Sequence, residues 1–124
     1  MTDPASSIQD PVSRIKLRKI AHARSGDKGS SANVAVFANT REGYEFLREH
    51  LTAKLVEEYF KPLGVGTVRR YEAPNLEALN FVLPNVLAGG GSRLLRIDAQ
   101  GKTLGEAVLE MTLEVPDNAT KKTL

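Results

Sequence analysis

Residues 33–38, Asn-Val-Ala-Val-Phe-Ala, constrain the fold more than any other stretch of the chain. Beyond Asn33 the run is apolar, and it carries two β-branched valines. Valine loses side-chain freedom in a helix but packs well on a pleated surface. No polar residue breaks the run with helical spacing, so it reads as a central strand buried on both faces. Such a strand needs neighbours on either side and cover above and below. The rest of the 124 residues must supply them.

The flanking segments supply candidates in chain order. Residues 13–22 (SRIKLRKIAH) alternate Ile15 and Leu17 with Lys16 and Arg18, a half-buried strand signal, and the alternation slips at Ile20, where a bulge or a change of face is expected. Thr40 can cap a helix through REGYEFLREHL, with Tyr44, Leu47 and Leu51 on one face. Thr52 can cap a restart, AKLVEEYF, that ends at KPLGVG. TVRRYEAP (67–74) reads as a strand, and Asn75 then as the cap of a helix LEALNFVL stopped by Pro84. SRLLRID (92–98) reads as a strand. TLGEAVLEM (103–111) reads as a short helix, with LEMTLEV as an extended alternative. The order β-β-α-β-α-β-α predicts an α+β sandwich of ferredoxin-like type, a four-stranded sheet with helices on one face.

A hydrophobic share of 41% and a charged share of 26% fit one soluble domain over 13–115, with 1–12 and 116–124 read as disordered. A net charge of +2 without a basic, aromatic-interleaved stripe argues against nucleic acid. The chain has no cysteine, which excludes disulfides, thiolate metal sites and a cysteine nucleophile. No apolar run approaches a membrane span, and the acidic, proline-bearing start does not read as a signal peptide. A cytoplasmic location is the expectation, and the sequon at Asn118 carries no weight without an export signal.

The chemically dense segment is Arg24-Ser25-Gly26-Asp27-Lys28-Gly29, between two strands. Two glycines there allow positive φ, so backbone N–H groups could converge on an anion. Arg24 would add a two-pronged donor and Lys28 a point charge. Ser25, Ser30 and Ser31 would add hydroxyls, with Asp27 orienting a cation or acting as a base. The bland alternative is a turn satisfied by its own ion pairs, each contributing about 0–1 kcal/mol. The string fails the Walker A pattern. Gly89, Gly90 and Gly91 suggest a close backbone approach or simply a flexible joint. Asn80 sits where a helix interior would disfavour it, and Asn33 needs partners at the start of a buried strand. His22 could pair with Asp27 for acid–base work or be structural, and His50 reads as a solvated surface residue. No spacing suggests a metal, and no cofactor is implied.

Taken together, ARSGDKGSSANVAVFA, LTAKLVEEYF, YEAPNLEALNFVL and GGGSRLLRIDAQGKTLGEAVLEM are similar to the small C-terminal, ferredoxin-like domain of the AtuA (acyclic terpene utilisation) family. The resemblance covers roughly residues 14–112. In that family the domain follows a larger N-terminal domain or stands as a short separate protein. The resemblance implies a setting beside enzymes of acyl-CoA catabolism, including biotin-dependent acyl-CoA carboxylases. Its characteristic positions fall on Arg24, Ser25, Gly26, Asp27, Lys28, Gly29, Asn33, Asn75, Asn80 and Gly89 to Gly91. It implies an accessory subunit that joins a large AtuA-type chain and helps form a site for a CoA thioester or another anionic small molecule. The alternatives are a self-contained small enzyme using Asp27 or His22, and a plain ligand-binding or assembly module. A sheet covered on one side only also predicts self-association as a dimer, with Ile20 and Val34 to Ala38 as the surface needing cover.

Overall fold

The apolar run lies at the centre of a sheet, as its composition requires. The computed structural model describes residues 12–28, 30–86 and 104–116. Among these, β1 (Val12–Lys16), β2 (Ala21–Lys28) and β3 (Ser31–Ala38) are followed by helices α1 (Arg41–His50) and α2 (Ala53–Phe60). Next come β4 (Arg69–Ala73), β5 (Ala78–Leu83), α3 (Leu104–Leu109) and β6 (Thr112–Pro116). Strands β2, β3, β5 and β4 form, in that order, one antiparallel sheet, and β1 pairs with β6 in a separate ribbon. The domain is α+β, with a four-stranded antiparallel sheet and helices. The expected strand 92–98 lies outside the described residues, as do 1–11 and 117–124 of the ends expected to be disordered. Val12 and Pro116, placed in those ends, instead pair with each other in the β1–β6 ribbon, because the antiparallel ladder extends to them. No helix among the described residues is long and apolar enough to cross a membrane.

One face of the sheet holds the core. Along β3, burial alternates strictly, with Ala32, Val34, Val36 and Ala38 inside and Ser31, Asn33, Ala35 and Phe37 only half-buried. The expectation of a strand buried on both faces is therefore corrected, because among the described residues the helices cover one face. Val34, Val36 and Ile20 are enclosed within the chain by this layer, so they offer no sticky surface for a second copy. Helix α3 rides on β2: a Cβ on Gly105 would lie 3.5 Å from the Ala23 backbone. Helix α1 starts as the sequence predicts, with Thr40 Oγ1 accepting from the Gly43 amide at 2.9 Å. Thr52 Oγ1 does the same for α2 from Leu55 at 3.1 Å. Each cap satisfies an otherwise orphaned first-turn donor.

The segment LEALNFVL is a strand and not the expected helix. It carries both periodicities, since Leu76, Leu79 and Leu83 suit a helix while Leu79, Phe81 and Leu83 alternate as in a strand. An eight-residue helix is marginal by itself, whereas β5 gains hydrogen-bonded ladders from both β3 and β4. Glu77 adopts the left-handed conformation (φ 53°) that closes the β4–β5 connection, and Leu76 is left 65% exposed. Residues 13–22 are likewise split by a 3-10 turn at Leu17–Lys19 into β1 and β2, so the slip at Ile20 marks a change of sheet. At the C-terminal end both alternatives hold in succession, with helix to Leu109 and strand from Thr112.

Two polar features yield predictions. Lys16 Nζ and Arg18 Nη2 donate to Glu110 at 2.9 and 2.7 Å, clamping the β1 end to the residue after α3. Hydrogen bonds first from Lys16 and then from Arg18 hold the Glu110 carboxyl down at about 2, against an ordinary 4.5. The folded value lies below the unfolded one, so the clamp stabilises above pH 4.5 and is lost as pH falls towards 2. Glu110→Gln should therefore lower stability at neutral pH, with the gap to wild type closing across that window in an acid-unfolding series. The second feature is Tyr44, which is 1% exposed and whose hydroxyl lacks a partner among the described residues. Removing an unsatisfied buried hydroxyl is neutral or favourable. Tyr44→Phe should match or exceed wild type by up to about 1–2 kcal/mol in urea unfolding, and a clear loss of stability would reveal a hidden partner.

Candidate functional site on the open sheet face

Antiparallel pairing sorts the residues of each strand between two faces. The register places His22, Arg24 and Gly26 of β2 on the face away from the helices, beside Phe37, Ala35 and Asn33 of β3. Asn80 and Val82 of β5 and Tyr71 and Arg69 of β4 complete that face. At its centre Asn33 Nδ2 donates to Asn80 Oδ1 at 3.1 Å. The two residues are diagonal neighbours, since Asn33 stands opposite Val82 and Asn80 opposite Ala35. The pair borders a concavity of about 240 Å³, lined by Ser31, Ala32, Asn33, Asn80 and Val82. Gly26 lies close beside the pair: a Cβ there would stand 3.2 Å from Asn33 Oδ1, so the Asn33 side chain would have to shift to admit one.

The dense segment does not form the expected loop. Arg24 to Lys28 are strand residues paired with Ser31 to Ala35, and Gly29 lies outside the described residues. Successive N–H groups of a strand point in opposite directions, so they do not converge into an anion nest. Arg24 and Gly26 share the open face, while Ser25 and Asp27 lie on the helix side, where both are exposed. Among the described residues β2 is an edge strand, where its charges would discourage edge-to-edge pairing with other chains.

A His22–Asp27 dyad is absent. The two residues lie on opposite faces and about 17 Å apart along the strand, at a rise of about 3.3 Å per residue. His22 instead bonds Asn39 Oδ1 through Nδ1 at 3.3 Å and stacks on Phe37 with ring centroids 5.2 Å apart. Asn75 caps no helix; it is exposed in the 3-10 turn Pro74–Leu76 and is not brought to the asparagine pair. His50 is only partly exposed, tilted against Phe46 at 4.4 Å. Gly89, Gly90 and Gly91 lie outside the described residues. No cluster of metal-ligating side chains occurs among the described residues.

Reading the sequence as a line misses Arg69, Tyr71 and Val82. The usable signal is the alternation in TVRRYEA, which puts Arg69 and Tyr71 on one face and Arg70 and Glu72 on the other. Arg70 is consumed structurally, donating to the Arg48 and Leu51 carbonyls at the end of α1, both at 2.9 Å, and pairing with Glu72 at 3.1 Å. Among the described residues, Arg69 and Arg24 have no carboxylate partner and no acidic residue shares the open face with them.

No curated protein and no solved structure matches the chain. The family model of the AtuA ferredoxin-like domain matches residues 15–114, from the β1–β6 ribbon across the whole sheet. The chain belongs to the AtuA ferredoxin-like domain family.

Proposed function

We propose that the chain is a cytoplasmic accessory module of an AtuA-type protein in acyl-CoA catabolism, of acyclic terpene or branched-acid type, and that its open sheet face completes a site shared with a large AtuA-type chain. Family membership and the similarity to a domain that accompanies a larger one support the partner. The observation that carries the reading is a face on which, among the described residues, no acid appears and the Asn33–Asn80 pair is flanked by two arginines without carboxylate partners. One free carbonyl and one free amino group form the pattern that an amide recognises, and a CoA thioester carries amides in its arm and phosphates beyond it. In this reading Asn33 and Asn80 hold the amide, and Arg24 neutralises negative charge at the β2 edge. A self-contained enzyme loses support because His22 and Asp27 stand on opposite faces. Co-expression with a tagged large AtuA-type chain tests the proposal. A stoichiometric complex that binds a CoA thioester, weakened about tenfold or more by Arg24→Glu, is expected. Failure to co-purify, with no thioester binding by the mixture, would overturn it.

A further inference from the structure

A second concavity of about 370 Å³ opens on the same face, beside β4, and Val82 forms the ridge between it and the asparagine pocket. Its wall is built from two turns tied together, the Gly66 amide donating to the Pro84 carbonyl at 2.9 Å. Asn85 holds a left-handed backbone (φ 63°) in that wall, a conformation uncommon outside glycine. Its amide nitrogen lies across Gly66, 3.6 Å from where a Cβ would stand. Arg69, Tyr71 and Thr67 also line the space, and among the described residues no carboxylate does.

The use of arginine elsewhere sets this cation apart. Arg14, Arg18, Arg41, Arg48 and Arg70 all pair with glutamates. Arg69 has no such partner among the described residues, although it is next to Arg70 in sequence and lines a concavity. We propose that this concavity is a binding site for a small oxyanion-bearing molecule, a phosphate ester or a carboxylate. The Arg69 guanidinium grips the oxyanion through two parallel N–H donors. The Asn85 amide and the Thr67 hydroxyl donate from the tied wall, and the half-exposed Tyr71 ring offers a flat surface to the body of the ligand. The volume falls in the range of small-molecule sites and exceeds what a bare phosphate fills, so the ligand carries an organic body.

The inference shares the open face with the functional reading above but not its partner, so its test uses the full-length chain alone. Backbone amide shifts are followed by NMR during titration with inorganic phosphate, butyrate and butyryl-CoA. Saturable shifts centred on Gly66, Thr67, Arg69 and Asn85 are expected, strongest with the phosphate-bearing or the carboxylate-bearing probe according to the source of the oxyanion. Arg69→Gln should raise the dissociation constant about tenfold or more. Arg69→Lys should fall between, because it keeps the charge and loses the fork. Arg14→Gln, in the β1–β6 ribbon and paired with Glu114, should change it by no more than about twofold, and every variant should keep the wild-type spectrum away from the site. Non-saturating or scattered shifts with all three probes, or equal losses from Arg14→Gln and Arg69→Gln, would overturn the proposal. Failure of the large chain to co-purify leaves it standing, and failure here leaves the shared-site reading standing.

Discussion

Replacing Phe81 by alanine is expected to cost about 3–5 kcal/mol, the loss typical of a fully buried aromatic side chain. Phe81 is 0% exposed and lies on β5, the inner strand between β3 and β4. Domains of this size are held by only about 5–15 kcal/mol in total, so the variant should be largely unfolded at physiological temperature. Urea unfolding should show a much lower midpoint with an unchanged slope. The companion Leu76→Ala should be close to neutral, because Leu76 is 65% exposed. A helix over the same residues would reverse the pair, burying Leu76 and turning Phe81 away from the apolar face. The two midpoints therefore discriminate between the readings: a costly Leu76→Ala beside a harmless Phe81→Ala would refute the strand.

Gly26→Val should separate binding from stability. Valine is favoured in strands and glycine weakens them, so the backbone gains from the change. The added Cβ would stand 3.2 Å from Asn33 Oδ1, and the branched methyls would push the Asn33 side chain out of its bond to Asn80. The open face has room for this displacement, so stability should change by no more than about 1 kcal/mol, near the worth of one hydrogen bond. Binding of a CoA thioester by the complex with the large chain should fall about tenfold or more, since the paired amide contacts are lost together. Equal thioester binding by Gly26→Val and wild type would remove the asparagine pair from the site. Thermal unfolding recorded on the same samples excludes loss of fold as the cause.

Several features were legible because their causes are local. Thr40 and Thr52 start helices by bonding amides three residues away, an arrangement that the linear sequence displays. The apolar spacing of Tyr44 and Leu47 identifies the buried face of α1 for the same reason. The RSGDKG string was legible as unusual but not as a strand, because its glycines and charges outweigh the strand signal when read alone. The conformation of Arg24 to Lys28 is set by pairing with β3, five of the eight rungs between the two strands, ending at Lys28 and Ser31.

The sequence by itself determined the α+β class, the two capped helices, the central position of residues 33–38 and the absence of cysteine chemistry, all of which follow from residue type and near-neighbour spacing. Tertiary structure alone decided the rest. The segment at 78–83 became a strand because two ladders and a buried Phe81 outweigh an eight-residue helix. Asn33 met Asn80 across 47 residues only once that strand had docked. Seven of its arginines look alike in the linear sequence of the described residues. Which of them are neutralised by glutamates, and which face outward as Arg24 and Arg69 do, depends on the register of strands, and register is fixed by which face the helices cover.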